Sequence, residues 1–139
     1  MMLDALFVII LLLNILGVLN GWWGKGRIET FLAGVPAITT SRELNQFKQM
    51  VKEQMYLALV QLLLLGGALV LMIYGILAER LDFLHIVILI LVNTFIFLMA
   101  RRFKHIEQRA ASLPVEDQML EAEYQRICLT WRRKPFPDW

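Results

Sequence analysis

Residues 42–61 read RELNQFKQMVKEQMYLALVQ, and no Gly or Pro separates their charged, amphipathic first half from their apolar second half. Leu44, Phe47, Val51, Met55 and Ala58 fall three or four residues apart, the spacing of one helical face. Just upstream, Thr40 and Glu43 have the Thr-x-x-Glu spacing of a capping box. Together these features predict one continuous helix over 41–78. At 1.5 Å per residue it is roughly 55 Å long, well beyond the ~30 Å hydrocarbon core of a bilayer. The stretch therefore reads as a helix that crosses a membrane over 56–77 and carries on into water.

Composition agrees with a membrane setting. Of the 139 residues, 58% are hydrophobic and 19% charged, more apolar surface than a soluble domain of this size hides. A net charge of +2 gives no electrostatic basis for a nucleic-acid partner. Two further apolar runs are long enough to span, one ending at Trp23 (1–23) and one over 81–100. Trp22, Trp23 and Tyr56 stand where an aromatic belt is expected. The N-terminal run has neither a basic n-region nor a small-x-small cleavage site, so it reads as an uncleaved span.

Charge sets the orientation. No basic residue precedes the first span, and Lys25, Arg27, Arg42, Lys48 and Lys52 follow it. Arg80 alone lies in the link between spans two and three, and the remaining basic residues follow the third. By the positive-inside rule the N-terminus lies outside and the C-terminus in the cytoplasm, and a bacterial inner (plasma) membrane is expected.

The third helix is predicted over 81–112, stopping before Pro114, which disfavours helical geometry in the preceding residue. Phe103, Ile106, Ala110 and Leu113 continue an apolar stripe beyond the span. Helices two and three, joined by a tight link, are expected to form a long antiparallel hairpin that leaves the bilayer as a cytoplasmic stalk. Counting outward from Arg80 sets Met55 against His105 and Ile106, Val51 against Ala110, and Phe47 against Leu113. Residues 24–40, broken by Gly34 and Pro36, are read as an apolar cytoplasmic loop lying along the surface or over the stalk. Residues 114–134 predict an amphipathic helix with Pro114 at its first position. Its face of Tyr124, Ile127 and Trp131 folds back on the stalk or, with Arg132, Arg133 and Lys134, docks a partner or the inner leaflet. Residues 135–139 are an extended tail whose Trp139 is costly to leave in water, which suggests a docking role.

The spans hold no Asp, Glu, Lys or Arg at mid-depth, which argues against a proton or ion pathway. Asn14, Asn20, Gln61, Asn93 and Thr94 are expected to bond between helices, or to line a lumen made by several copies. Gly17 and Gly21 form a Gly-x-x-x-Gly, and Gly66 and Gly67 cluster at mid-span; both suit close helix packing. The only cysteine, Cys128, excludes an intrachain disulfide. His85 and His105, twenty residues apart on one helix, are separated by ~30 Å and share no metal. No catalytic residues, metal ligands or cofactor are assigned.

The fold class expected is an all-α integral membrane protein with three transmembrane helices, the hairpin and a C-terminal amphipathic helix. This arrangement resembles that of the stator-like proteins that power outer-membrane energy transduction, although the chain is short for one and no motif residue matches. The function expected is a non-enzymatic structural or accessory subunit of a membrane complex, whose partners are other membrane subunits, further copies of itself and the bilayer. The alternatives are a homo-oligomeric ion channel or stator-like proton-channel subunit, and a membrane anchor or sensor signalling through the stalk.

Overall fold

The computed structural model describes residues 4–139, so residues 1–3 of the predicted first span lie outside it. The described chain forms four helices: α1 (Ala5–Gly34), α2 (Ser41–Leu77), α3 (Phe83–Ala110) and α4 (Gln118–Arg133). The first three are long and apolar enough to cross a membrane.

α2 starts where the capping-box spacing placed it. Thr40 Oγ1 accepts from the Glu43 N–H at 3.3 Å, and the Glu43 carboxylate accepts from the Thr40 N–H at 3.2 Å. α1, by contrast, does not end at Trp23. It runs on to Gly34, so most of the predicted 24–40 loop is helix. Gly24 and Gly26 each weaken a helix by about 1 kcal/mol relative to Ala. Tertiary contact overrides that cost, because Ile28 is 2% exposed and packs into the core at this end of the molecule. The true break is at Pro36, ahead of which Val35 turns extended (φ −133°, ψ 84°).

α1 packs along both α2 and α3, whereas the backbones of α2 and α3 do not approach each other closely. Phe7 lies against His85 with ring centroids 4.3 Å apart, and Gly21 lies beside Phe103. α1 thus runs parallel to α3. Gly24 meets Gln54, and Phe7 shares a cluster with Ala68, so α1 runs antiparallel to α2. The stalk expected from two helices is built from more: α1 supplies the missing surface, because its helix leaves the apolar zone alongside the others.

Beyond the apolar stretches the helix ends form a distal domain with its own core. Phe47, Val51, Ile38 and Ile127 are each 0% exposed there. Burial of a side chain of that size contributes about 1.5–3 kcal/mol. The two segments outside helices also pair: the Ile38 N–H donates to the Pro114 carbonyl at 3.0 Å, and the Glu116 N–H donates to the Ile38 carbonyl at 3.3 Å. That bridge sets Val115 beside Ile38, and α4 begins only at Gln118, so Pro114 is not its first residue. Asp117 caps α4 instead, accepting from the Met119 N–H at 2.9 Å.

Candidate functional site

The divergence of α2 from α3 opens a cleft of about 300 Å³ floored by α1. Gly17, Gly21 and Gly24 form the floor, and Leu57 and Ala58 of α2 face Ile96 and Met99 of α3 across it. Lys25, Lys104 and Glu107 stand at the end nearest the distal domain. The glycines are there for space. A Cβ at Gly17 would meet Leu65 at 2.9 Å, and one at Gly24 would meet the Gln54 amide oxygen at 3.0 Å.

Polar side chains bind α1 to α2 along this floor. Asn20 Nδ2 donates to Gln61 Oε1 and to the Leu57 carbonyl, both at 2.9 Å. Gln54 Nε2 donates to the Gly24 carbonyl at 2.9 Å. Outside the cleft, Arg27 also ties α1 to α2, donating to Glu53 through Nε at 3.0 Å and Nη2 at 2.6 Å. Lys25 Nζ lies 5.4 Å from the Phe103 ring centroid and 3.7 Å from Glu29. Glu107, beside the apolar wall, has its carboxyl raised by desolvation, with Lys104 acting in the opposite direction.

Of the residues predicted to bond between helices, Asn20 and Gln61 meet. The others turn back onto their own helices. Asn14 donates to the Ile10 carbonyl at 3.0 Å, Asn93 to Leu89 at 2.8 Å, and the Thr94 hydroxyl to Ile90 at 2.8 Å. Each bonds the carbonyl four residues back, a partner always within reach in a helix, whereas an interhelical bond needs a neighbour at the right depth. Asn14 is buried under α1's neighbours, while Asn93 and Thr94 are exposed on α3. Among the predicted packing glycines, Gly17 and Gly21 face neighbouring helices, but Gly66 and Gly67 have nothing within 4 Å of an added Cβ.

The stalk residues Leu44, Phe47, Val51 and Met55 are buried, and Ile106, Ala110 and Leu113 join the same core. Phe103 sits apart from it, on the cleft wall. The proposed docking face of α4 is largely consumed internally. Tyr124 and Ile127 are buried, Trp131 packs edge-on to Phe47 at 6.4 Å, and Trp139 lies under Lys48 at 5.7 Å. The tail folds back beside α4, where Lys134 Nζ donates to Asp138 at 2.5 Å. The reason is physical: packing this aromatic face against Phe47 and its neighbours buries both it and α2's apolar stripe. Arg132 and Arg133 remain exposed on the last turn of α4.

Sequence reading missed Gln54, Gly24 and the charged rim. Gly24 continues the four- and three-residue spacing of Gly17 and Gly21, and Gln54 lies seven residues before Gln61 on the same face. Those spacings were the available signal. The charged rim had none, because the depth of Lys104 and Glu107 depends on α1 lying beside α3. No family model, curated protein or solved structure matches the chain.

Proposed function

We propose that the chain is a non-enzymatic structural or accessory subunit of a multi-subunit membrane protein complex, with its N-terminus outside and the distal domain in the cytoplasm of a bacterial cell. The observation that carries this reading is the exposure of Asn93. It lies about midway along the apolar part of α3, yet is exposed rather than covered by the rest of the chain. Its Nδ2 is spent on the Leu89 carbonyl, which leaves Oδ1 to be satisfied from outside the chain. A polar group left unpaired in hydrocarbon costs several kcal/mol, so a donor from a neighbouring membrane helix is the natural partner. The spans have ample surface for one: only 6% of α2's most apolar stretch and 11% of α3's is buried within the chain.

The orientation rests on the basic residues that flank the spans, which gather at the distal-domain end. Native mass measurement of the full chain, extracted from its own membrane in mild detergent, tests the assignment. Other subunits should co-purify at fixed stoichiometry, and Asn93→Leu should weaken that association. A lone monomer, unchanged by the substitution, would overturn it.

A second reading, a homo-oligomeric channel or stator-like proton-channel subunit, draws on the same exposed pair of Asn93 and Thr94. Asn14 does not support it, being 0% exposed and bonded within its own helix. A closed ring of identical chains in the same measurement would favour this reading over the first.

A further inference from the structure

The cleft between α2 and α3 is graded from apolar to charged along its length. Ligand sites of about 300–1,000 Å³ suit small molecules, and this cleft lies at the lower end of that range. Its inner walls are Val18, Leu57, Ile96 and Met99; its mouth carries Lys25, Lys104 and Glu107. Trp22 and Trp23, 60% and 67% exposed on α1, stand at the level between those two zones. Exposed tryptophans of this kind mark the membrane–water interface. The mouth therefore opens at headgroup depth and the inner part lies among acyl chains.

Hydrogen-bonding capacity is also left over inside. Asn20 and Gln61 spend one donor and one acceptor on each other, leaving Gln61 Nε2 and Asn20 Oδ1 without a partner among the described residues. Gln54 uses its Nε2 on Gly24 and likewise leaves Oε1. An acyl chain alone would strand these groups. A molecule with ester carbonyls at this depth would accept from Gln61 Nε2.

We propose that this cleft binds one glycerophospholipid with a primary-amine headgroup. One acyl chain lies along the floor of Gly17 and Gly21, with the ester region at Gln61. The phosphate sits between Lys25 and Lys104, and the headgroup ammonium reaches Glu107. Charge complementarity selects this occupant. The two lysines suit any phospholipid phosphate, but Glu107 discriminates between headgroups. An ammonium donates hydrogen bonds to its carboxylate, a trimethylated amine has none to give, and an uncharged glycerol headgroup leaves the carboxylate facing a net anion. Lys25 is held at the mouth by the Phe103 ring, itself part of the wall.

Lipid exchange followed by native mass spectrometry of the full chain tests this. The chain, stripped in mild detergent, is offered equal amounts of phosphatidylethanolamine, phosphatidylcholine and phosphatidylglycerol. One ethanolamine lipid should be retained with about tenfold preference over choline, the ratio expected for one charge-assisted hydrogen bond. Glu107→Gln should erase that preference while leaving phosphate-dependent retention. The pair Lys25→Gln and Lys104→Gln should weaken all three lipids. Gly21→Leu should abolish retention, since a Cβ there clears Phe103 by an ordinary 3.5 Å and the longer side chain fills the cleft. Equal retention of choline lipid, a preference for phosphatidylglycerol, or retention surviving Gly21→Leu would each overturn the proposal. No partner chain is needed, so failure here leaves the reading of Asn93 untouched.

Discussion

The phenol of Tyr124 on α4 closes the end of α3: its hydroxyl donates to the Ala110 carbonyl at 2.7 Å. The same oxygen accepts from the Leu113 N–H at 3.0 Å. The last carbonyls of a helix have no partner within it, and here a side chain from the next helix supplies one. One hydroxyl therefore ends α3, orients the turn toward Pro114, and fixes α4 over Phe47, whose ring centroid is 4.8 Å from its own.

Tyr124→Phe keeps the ring packing and removes both bonds. The Ala110 carbonyl and Leu113 N–H then lose their partner in a buried place, which costs about 1–3 kcal/mol. Denaturant unfolding of the distal domain should shift by that amount. Hydrogen exchange at the Leu113 amide should speed up, and buried Cys128 on the same face should become more reactive to thiol reagents. Unchanged exchange at Leu113 would mean that water or another group replaces the phenol.

Burial raises the Tyr124 pKa well above its ordinary value of 10.0, with Cys128 beside it adding to the effect. The sign follows from proton counts. Above pH 10 the unfolded chain has lost this proton and the folded chain keeps it, so rising pH favours unfolding. The distal domain should hold its stability from Tyr124 below pH 10 and lose it progressively above. Phenolate absorbance should show one tyrosine ionising only as α4 releases, and Tyr124→Phe should flatten the alkaline limb of the stability profile.

Gly75 and the pair Gly66 and Gly67 should respond oppositely to alanine. At Gly75 a Cβ would come within 2.7 Å of Leu81 Cδ1 and 2.9 Å of Leu6 Cδ2, where α1 meets the turn. Overpacking of that kind costs about 1–3 kcal/mol. At Gly66 and Gly67 the space is open, so alanine should raise the stability of the isolated chain by about 0.5–1 kcal/mol each. Thermal unfolding in detergent reads both effects. If Gly67→Ala stabilises the chain alone but impairs its co-purification with other subunits, this face of α2 is covered in the complex.

The long helices were legible because their signals are local. The Leu44–Met55 stripe, the Thr40–Glu43 box and the apolar runs each lie within one segment. What covers the stripe was not legible. Ile28 and Tyr124 lie far from Phe47 in sequence, and only the path of α1 past Gly24 brings Ile28 into the core that Phe47 shares. Gly34 and Pro36 argued for a loop over 24–40, but α1 runs on to Gly34 and the chain breaks only there, ahead of Pro36. Depth matching paired Asn20 with Gln61 because both sit on facing helices. It could not foresee that Asn14, Asn93 and Thr94 would bond to the carbonyl one turn back.

That difference sets the last prediction, a contrast between two asparagines on α1. Asn20 makes two bonds to α2, and Asn20→Leu breaks both, leaving Gln61 Oε1 and the Leu57 carbonyl to find other partners. Interhelical bonds within membranes average about 0.6 kcal/mol and reach about 1.7 kcal/mol, so a loss in that range is expected. Asn14 bonds only to Ile10, and its Oδ1 is buried without a partner. Leucine there removes an unsatisfied oxygen while keeping the branched four-atom side chain, so Asn14→Leu should be neutral or stabilising. Unfolding of the two variants in the same detergent decides the matter. A large loss from Asn14→Leu would mean that this fully buried site does not accept the bulkier side chain, and that packing there outweighs the unpaired oxygen.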